Sequence, residues 1–171
     1  MKSKVLTILR IFFTIAAIIF MTVIFNFSSE NANESSDTSG VITDKAVHTF
    51  VKDYEKMPSD KKTSIREKVS HIVRKTAHFS IYAALGFCIS MAAGKRRLFS
   101  KGSAFTVILC FIYAFSDELH QNFVPGRSCE FKDMMIDTAG AAVGMLISLL
   151  MLMIIHKIII IKTDHKSDSH L

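Results

Sequence analysis

Four long apolar stretches organise this chain, and its polar residues gather where those stretches begin and end. Val5 to Phe27 is interrupted by little more than Arg10, a few threonines and Asn26. Ala77 to Ala93 is uncharged apart from His78 and is followed by Gly94. Ser103 to Ser116 is a shorter run that Leu119 completes, and Met134 to Ile155 is broken only by Asp137 before it continues through His156 and Lys157 into Ile158–Ile161. A helix needs about 20 mainly apolar residues to cross a bilayer. The first and last runs meet that length, and the shorter ones reach it with their polar ends. The pattern therefore predicts an all-α, polytopic membrane protein built as a four-transmembrane-helix bundle.

The segment between the first two spans has a different texture. Phe27 to Gly40 is rich in Ser, Asn and Glu, which predicts a linker or cap. Val47, Phe50, Val51 and Tyr54 then recur at helical spacing, as do Ile65, Val69, Ile72 and Val73 beyond Pro58. Ser64 and Glu67 have the spacing of a capping box. Two short amphipathic helices are expected here, lying on the membrane surface, over a cavity mouth, or simply packed by their apolar faces. The resulting division is an N-terminal transmembrane helix over 1–27, an extracytoplasmic linker with amphipathic helices over 28–70, a core with three transmembrane helices over 71–161, and a polar cytoplasmic tail over 162–171.

Composition sharpens this picture. Half of the 171 residues are hydrophobic, and they occur in blocks. Lys2 and Lys4 would also suit a signal peptide, but the first run is long for one and no small-x-small cleavage site follows, so it is read as a retained helix. The net charge of +6 comes from bases that flank apolar runs, so no nucleic acid is implied. Gly94 to Gly102 holds four bases and no acid, whereas Asp117 to Asp133 holds two bases and four acids. By the positive-inside rule both termini and the 94–102 loop face the cytoplasm, and Asp117 to Asp133 faces outward. The three cysteines form no CxxC pair and no disulfide framework, and Cys129 reads as a small neutral loop residue.

Ionisable side chains at the edge of a bilayer are costly and call for a functional explanation. Residues four apart share a helix face, so Arg74, His78 and Tyr82 form one stripe. Asp117, His120 and Gln121, with Glu118 alongside, form a second. Asp133, Asp137, Gly140, Ala141 and Gly144 form a third, whose small residues admit a neighbouring helix. All three begin at the same expected depth and should converge on a pocket that also takes Arg127 from the loop. Asp137 lies a turn inside its span, so it needs a partner: an arginine or a proton would serve. The structural alternative is a salt-bridge network of the acids with Arg74 and Arg127. Lys75 reads as an interfacial anchor, and Pro125-Gly126 as a turn in its own right.

The chain resembles the VanZ-like family. The resemblance rests on Arg74-Lys75-Thr76-Ala77-His78-Phe79 with Tyr82, Leu85 and Gly86, then Asp117-Glu118-Leu119-His120-Gln121, then Val124-Pro125-Gly126-Arg127-Ser128, then Asp133 with Asp137-Thr138-Ala139-Gly140 and Gly144. Phe27-Ser28-Ser29 also fits, with Glu30 where the family has Gln. The resemblance implies a multi-pass protein of the bacterial plasma membrane and a link to low-level resistance against the glycopeptide teicoplanin, which acts outside the cell on peptidoglycan precursors.

Three functions fit these residues. A binding protein would use Arg74, His78, Gln121, Arg127, Asp133 and Asp137 to hold an anionic lipid headgroup, a peptidoglycan precursor or a lipoglycopeptide. An enzyme, a hydrolase or transferase acting on a lipid-linked or acylated substrate, would use His120 as acid or base, with Asp117 or Glu118 holding it. A metal-assisted version would draw on His78, Glu118, His120 and a span-four aspartate. No compact HExxH motif supports it, so no metal and no cofactor is assigned. The third is a purely structural cluster that docks another membrane protein. A transporter would have little room in four short spans. The lipid bilayer is the one partner every version requires.

Overall fold

The computed structural model describes residues 2–94, 100–127 and 129–168. The basic Lys95-Arg96-Arg97 cluster, Ser128 and the last three residues of the polar tail lie outside the described residues. The fold is all helix: α1 Lys2–Ser29, α2 Ala32–Thr38, α3 Gly40–Phe50, α4 Ser59–Ala93, α5 Lys101–Gln121 and α6 Phe131–Asp168, with a single 3-10 turn at Tyr54–Lys56. Among the described residues there is no strand. Helices α1, α4, α5 and α6 are each long and apolar enough to cross a membrane.

Two expectations about the segment after α1 need correction. The polar linker is itself helical. Asn31 and Glu34 exchange backbone-to-side-chain hydrogen bonds of 3.0 Å each and so start α2 with a capping box. The box expected at Ser64 and Glu67 is instead interior to α4, which begins after Pro58 and runs unbroken into the second span. Val51 and Tyr54 fall beyond the end of α3. At about 1.5 Å per residue α4 is roughly 50 Å long, well beyond a hydrocarbon core of about 30 Å. Its first turns therefore stand clear of the membrane. There α3 packs on them, and Arg66 Nε donates to Asp44 Oδ1 at 2.8 Å.

The bundle is organised around α4 and α6, which run parallel and share its most extensive contact. Glycines make that approach possible. A methyl group at Gly86 would fall inside the carbonyl of Ala141, one at Gly140 inside that of Phe79, and one at Gly144 inside that of Ala83. Farther along, Ser148 Oγ donates to Ser90 Oγ. The core gathers Ile24 of α1, Tyr82 and Leu85 of α4, Cys110 and Ala114 of α5, and Ala141 of α6. Outward residues such as Ile8, Phe12 and Ile15 on α1, Ile108 and Ile112 on α5, and Ile147 and Leu150 on α6 are exposed, as a lipid-facing surface requires.

Helix α4 ends at Gly94, whose φ of +64° few other residues accept, and whose N–H reaches Ser90 O. The Arg10 guanidinium lies beside this turn, at the end of the bundle away from the polar stripes. Helix α5 starts on Ser100, whose hydroxyl accepts from the Ser103 N–H at 3.2 Å.

Candidate functional site

The polar end of the bundle is assembled from the C-terminal turns of α1 and α5, the first turns of α6 and the middle of α4. The α5–α6 connection closes with a tight turn. Arg127 N–H reaches Val124 O at 3.2 Å, Pro125 and Gly126 occupy the central positions, and Gly126 has φ +78°. That is the stereochemistry of a type II turn. It carries the Arg127 guanidinium back over the bundle, where Nη2 donates to Phe27 O at 3.3 Å.

Under this turn lies a cavity of about 220 Å³ whose lining includes Arg74, His78, Glu118, Gln121, Arg127 and Asp137. Asp133 and Lys75 line it as well. Arg74, His78, Gln121, Arg127, Asp133 and Asp137 thus all line one cavity. Asp117 sits just behind it, buried, with Oδ2 accepting from Ser28 Oγ at 2.8 Å and from Gln121 Nε2 at 3.4 Å. Glu118 is committed to the loop: its Oε2 accepts from the Glu130 N–H at 2.9 Å and so fixes the entry to α6.

His120 does not join the cavity. Its ring stacks on Phe25 at 4.7 Å, and Nε2 lies 3.1 Å from Ser29 Oγ. The reason is angular. Three residues advance a helix by about 300° and four by about 400°, so His120 and Gln121 lie on opposite sides of the Asp117 direction. Helix α1 occupies the His120 side. Neither carboxylate considered as its orienting group is hydrogen-bonded to His120 here: Asp117 bonds Ser28 and Gln121, and Glu118 bonds Glu130.

The ion pairs also differ from expectation. Lys75, read as an anchor, pairs with Asp133 and lies 3.8 Å from Glu130. Asp137 faces neither arginine. Its nearest cationic partner is His78, with Nδ1 3.8 Å from Oδ2. Among the described residues neither Arg74 nor Arg127 makes an ion pair, and Nε of each is buried without a hydrogen-bond partner. Burial and the neighbouring Arg74 charge both lower the Arg127 pKa from its ordinary value. A guanidinium pKa starts so high that Arg127 remains a cation at neutral pH.

Sequence reasoning missed Ser28, Ser35 and Glu130. For Ser28 a signal existed in the Phe27-Ser28-Ser29 motif. For Ser35 none did, because only the fold of α2 brings it to the cavity wall. A second chamber of about 240 Å³ opens beside the first, between α1, the α2–α3 segment and α4. Its walls are chiefly apolar, with Ile24, Phe27, Ile42, Val73, Ala77 and Ile81, and it shares Ser35, Arg74 and His78 with the polar cavity. At the floor of the polar cavity His78, Asp117 and Asp137 each bring one potential ligand atom to within 4.8 Å of the others.

Fold and site together define a multi-pass helical membrane protein with a polar cavity sunk into one end of its bundle. The sequence matches the VanZ/LLP1 family over residues 13–154, and the chain belongs to that family. No curated protein and no solved structure matches it.

Proposed function

We propose that this protein binds an anionic amphiphile of the bacterial envelope, a lipid-linked or acylated group whose phosphate or carboxylate sits between Arg74 and Arg127 and whose chain lies in the apolar chamber. The cavity faces outward, and occupancy contributes to the envelope's response to glycopeptide antibiotics such as teicoplanin. One observation carries this reading: a polar cavity that holds both arginines and an apolar chamber meet at Arg74 and His78, so a head and a tail are accommodated side by side. Among the described residues neither guanidinium has a salt-bridge partner, their like charges repel each other, and an anion placed between them relieves that repulsion while satisfying their unpartnered Nε–H groups. Lys75 contributes less, because Asp133 already neutralises it.

The test uses the purified protein in maltoside micelles with dodecyl phosphate as probe, and inorganic phosphate and dodecyltrimethylammonium as controls. A hydrogen bond to a charged group is worth about 1.5–3 kcal/mol. Arg74→Ala and Arg127→Ala should therefore each weaken dodecyl phosphate by roughly tenfold to a hundredfold. Ala77→Phe, which fills the apolar chamber, should weaken dodecyl phosphate and leave inorganic phosphate unaffected. Dodecyl phosphate binding that persists in the Arg74→Ala/Arg127→Ala double variant would overturn the site. Teicoplanin susceptibility of cells carrying Arg127→Ala, set against that of a deletion strain, tests the envelope role.

A further inference from the structure

We propose that His78, Asp117 and Asp137 bind a divalent transition-metal ion, zinc or manganese, at the floor of the polar cavity. The side chains come from three different helices, α4, α5 and α6, and converge at one depth. One imidazole and two carboxylates form a donor set suited to these ions. Together the two carboxylates supply the charge that a divalent cation neutralises.

Burial gives the cluster its direction. Asp117 and Asp137 are 3 % and 2 % exposed, so neither carboxylate is relieved by water around it. Yet each keeps an oxygen without a hydrogen-bond partner, Oδ1 of Asp117 and Oδ2 of Asp137. Such orphaned acceptors cost more than a made hydrogen bond contributes. The other Asp117 oxygen is held by Ser28 and Gln121, which is how an outer shell orients a ligand and leaves its partner atom free.

The distance between His78 and Asp137 supports the same reading. At 3.8 Å, Nδ1 and Oδ2 are too far apart for a hydrogen bond. Donors bound to one ion at about 2.1 Å sit roughly 3–4 Å from each other, so this spacing already suits two ligands of a single metal. All three ligand atoms lie within 4.8 Å of one another, so a shift of about an ångström brings them to the spacing of ligands on one ion. Protein donors fill three positions, and the cavity above supplies the rest from water or from an anion's oxygen. The charges around the cluster permit this. Lys75 is engaged by Asp133, whereas Arg74 and Arg127 line the cavity alongside and favour an anion as the exogenous ligand.

This site goes beyond the amphiphile reading and stands on its own atoms. Full-length protein in maltoside micelles is stripped with chelator and then dialysed against Zn²⁺ or Mn²⁺ alone. Wild type should retain about one ion per chain, as a single built site requires. His78→Gln, Asp117→Asn and Asp137→Asn should each bind at least tenfold more weakly, and His120→Gln should bind as wild type does. Zn²⁺ should raise the thermal midpoint of wild type and leave that of the Asp117→Asn/Asp137→Asn variant in place.

A wild-type readout covers variants that fold poorly: electron spin-echo spectroscopy of the Mn²⁺ form should show coupling to one imidazole nitrogen. Metal uptake by wild type no greater than that of the Asp117→Asn/Asp137→Asn variant would overturn the proposal, as would a manganese spectrum without nitrogen coupling. Dodecyl phosphate binding by the metal-free protein is read separately, so one idea can fail while the other stands.

Discussion

Asp137 needs a partner because it lies inside a span with its side chain buried at the cavity floor. That need is readable from its place in an apolar run. The partner's identity is not, since it depends on how far α4 is rotated about its own axis relative to α6. The rotation brings His78 to Asp137 and leaves Arg74 at the cavity wall. The same logic separates Gln121 from His120: both stand in one short motif, but the position of α1 decides which enters the cavity. A consequence can be measured in metal-free protein. His78→Ala removes the imidazole that lies 3.8 Å from the buried Asp137 carboxylate and should lower stability by about 1–3 kcal/mol, the scale of losing a polar neighbour from a buried charged group. Adding Asp137→Asn removes that buried charge, so the double variant should be more stable than His78→Ala alone. Thermal unfolding in detergent checks the order; a double variant as unstable as the sum of both singles would show that the pair does not interact.

Helix contacts are the scale at which the small residues act. The stripe Gly140, Ala141, Gly144 signals a close neighbour in any membrane helix, and α4 is that neighbour, with Gly86 returning the favour on its own face. Boundaries were less legible. Ser64 and Glu67 imitate a helix start, but no Pro or Gly interrupts the chain from Ser59 to Leu85, and uninterrupted propensity carries α4 through. The capping box that does form, at Asn31 and Glu34, lies in a stretch whose composition suggests a linker. Close packing gives a sharp contrast between glycines. Gly86→Ala or Gly144→Ala places a methyl group against backbone that cannot retreat, and overpacking of this kind costs typically 1–3 kcal/mol or more. Both should lower the yield of folded protein and its thermal midpoint. Gly40→Ala meets nothing nearer than the Arg66 guanidinium at 3.7 Å, and should be tolerated with an unchanged midpoint.

Across the whole molecule, charge asymmetry predicts which side the polar cavity faces, and the chain carries its own reporter. Four bases and no acid between Gly94 and Gly102 predict a cytoplasmic loop by the positive-inside rule. The α5–α6 turn lies at the other end of α5, so Cys129 should be external. Cys129 is exposed, whereas Cys88 and Cys110 are buried in the bundle. A membrane-impermeant maleimide applied to intact cells should therefore label the wild-type chain, and Cys129→Ser should abolish that labelling. Lys101→Cys in the Cys129→Ser background should react only after permeabilisation. Labelling of Cys129 only in permeabilised cells would invert the topology. The antibiotic role would then fall, because its ligands lie outside the cell. An amphiphile site at Arg74 and Arg127 would survive that result, since a headgroup can be met from either leaflet and the two cavities adjoin whichever way the bundle points.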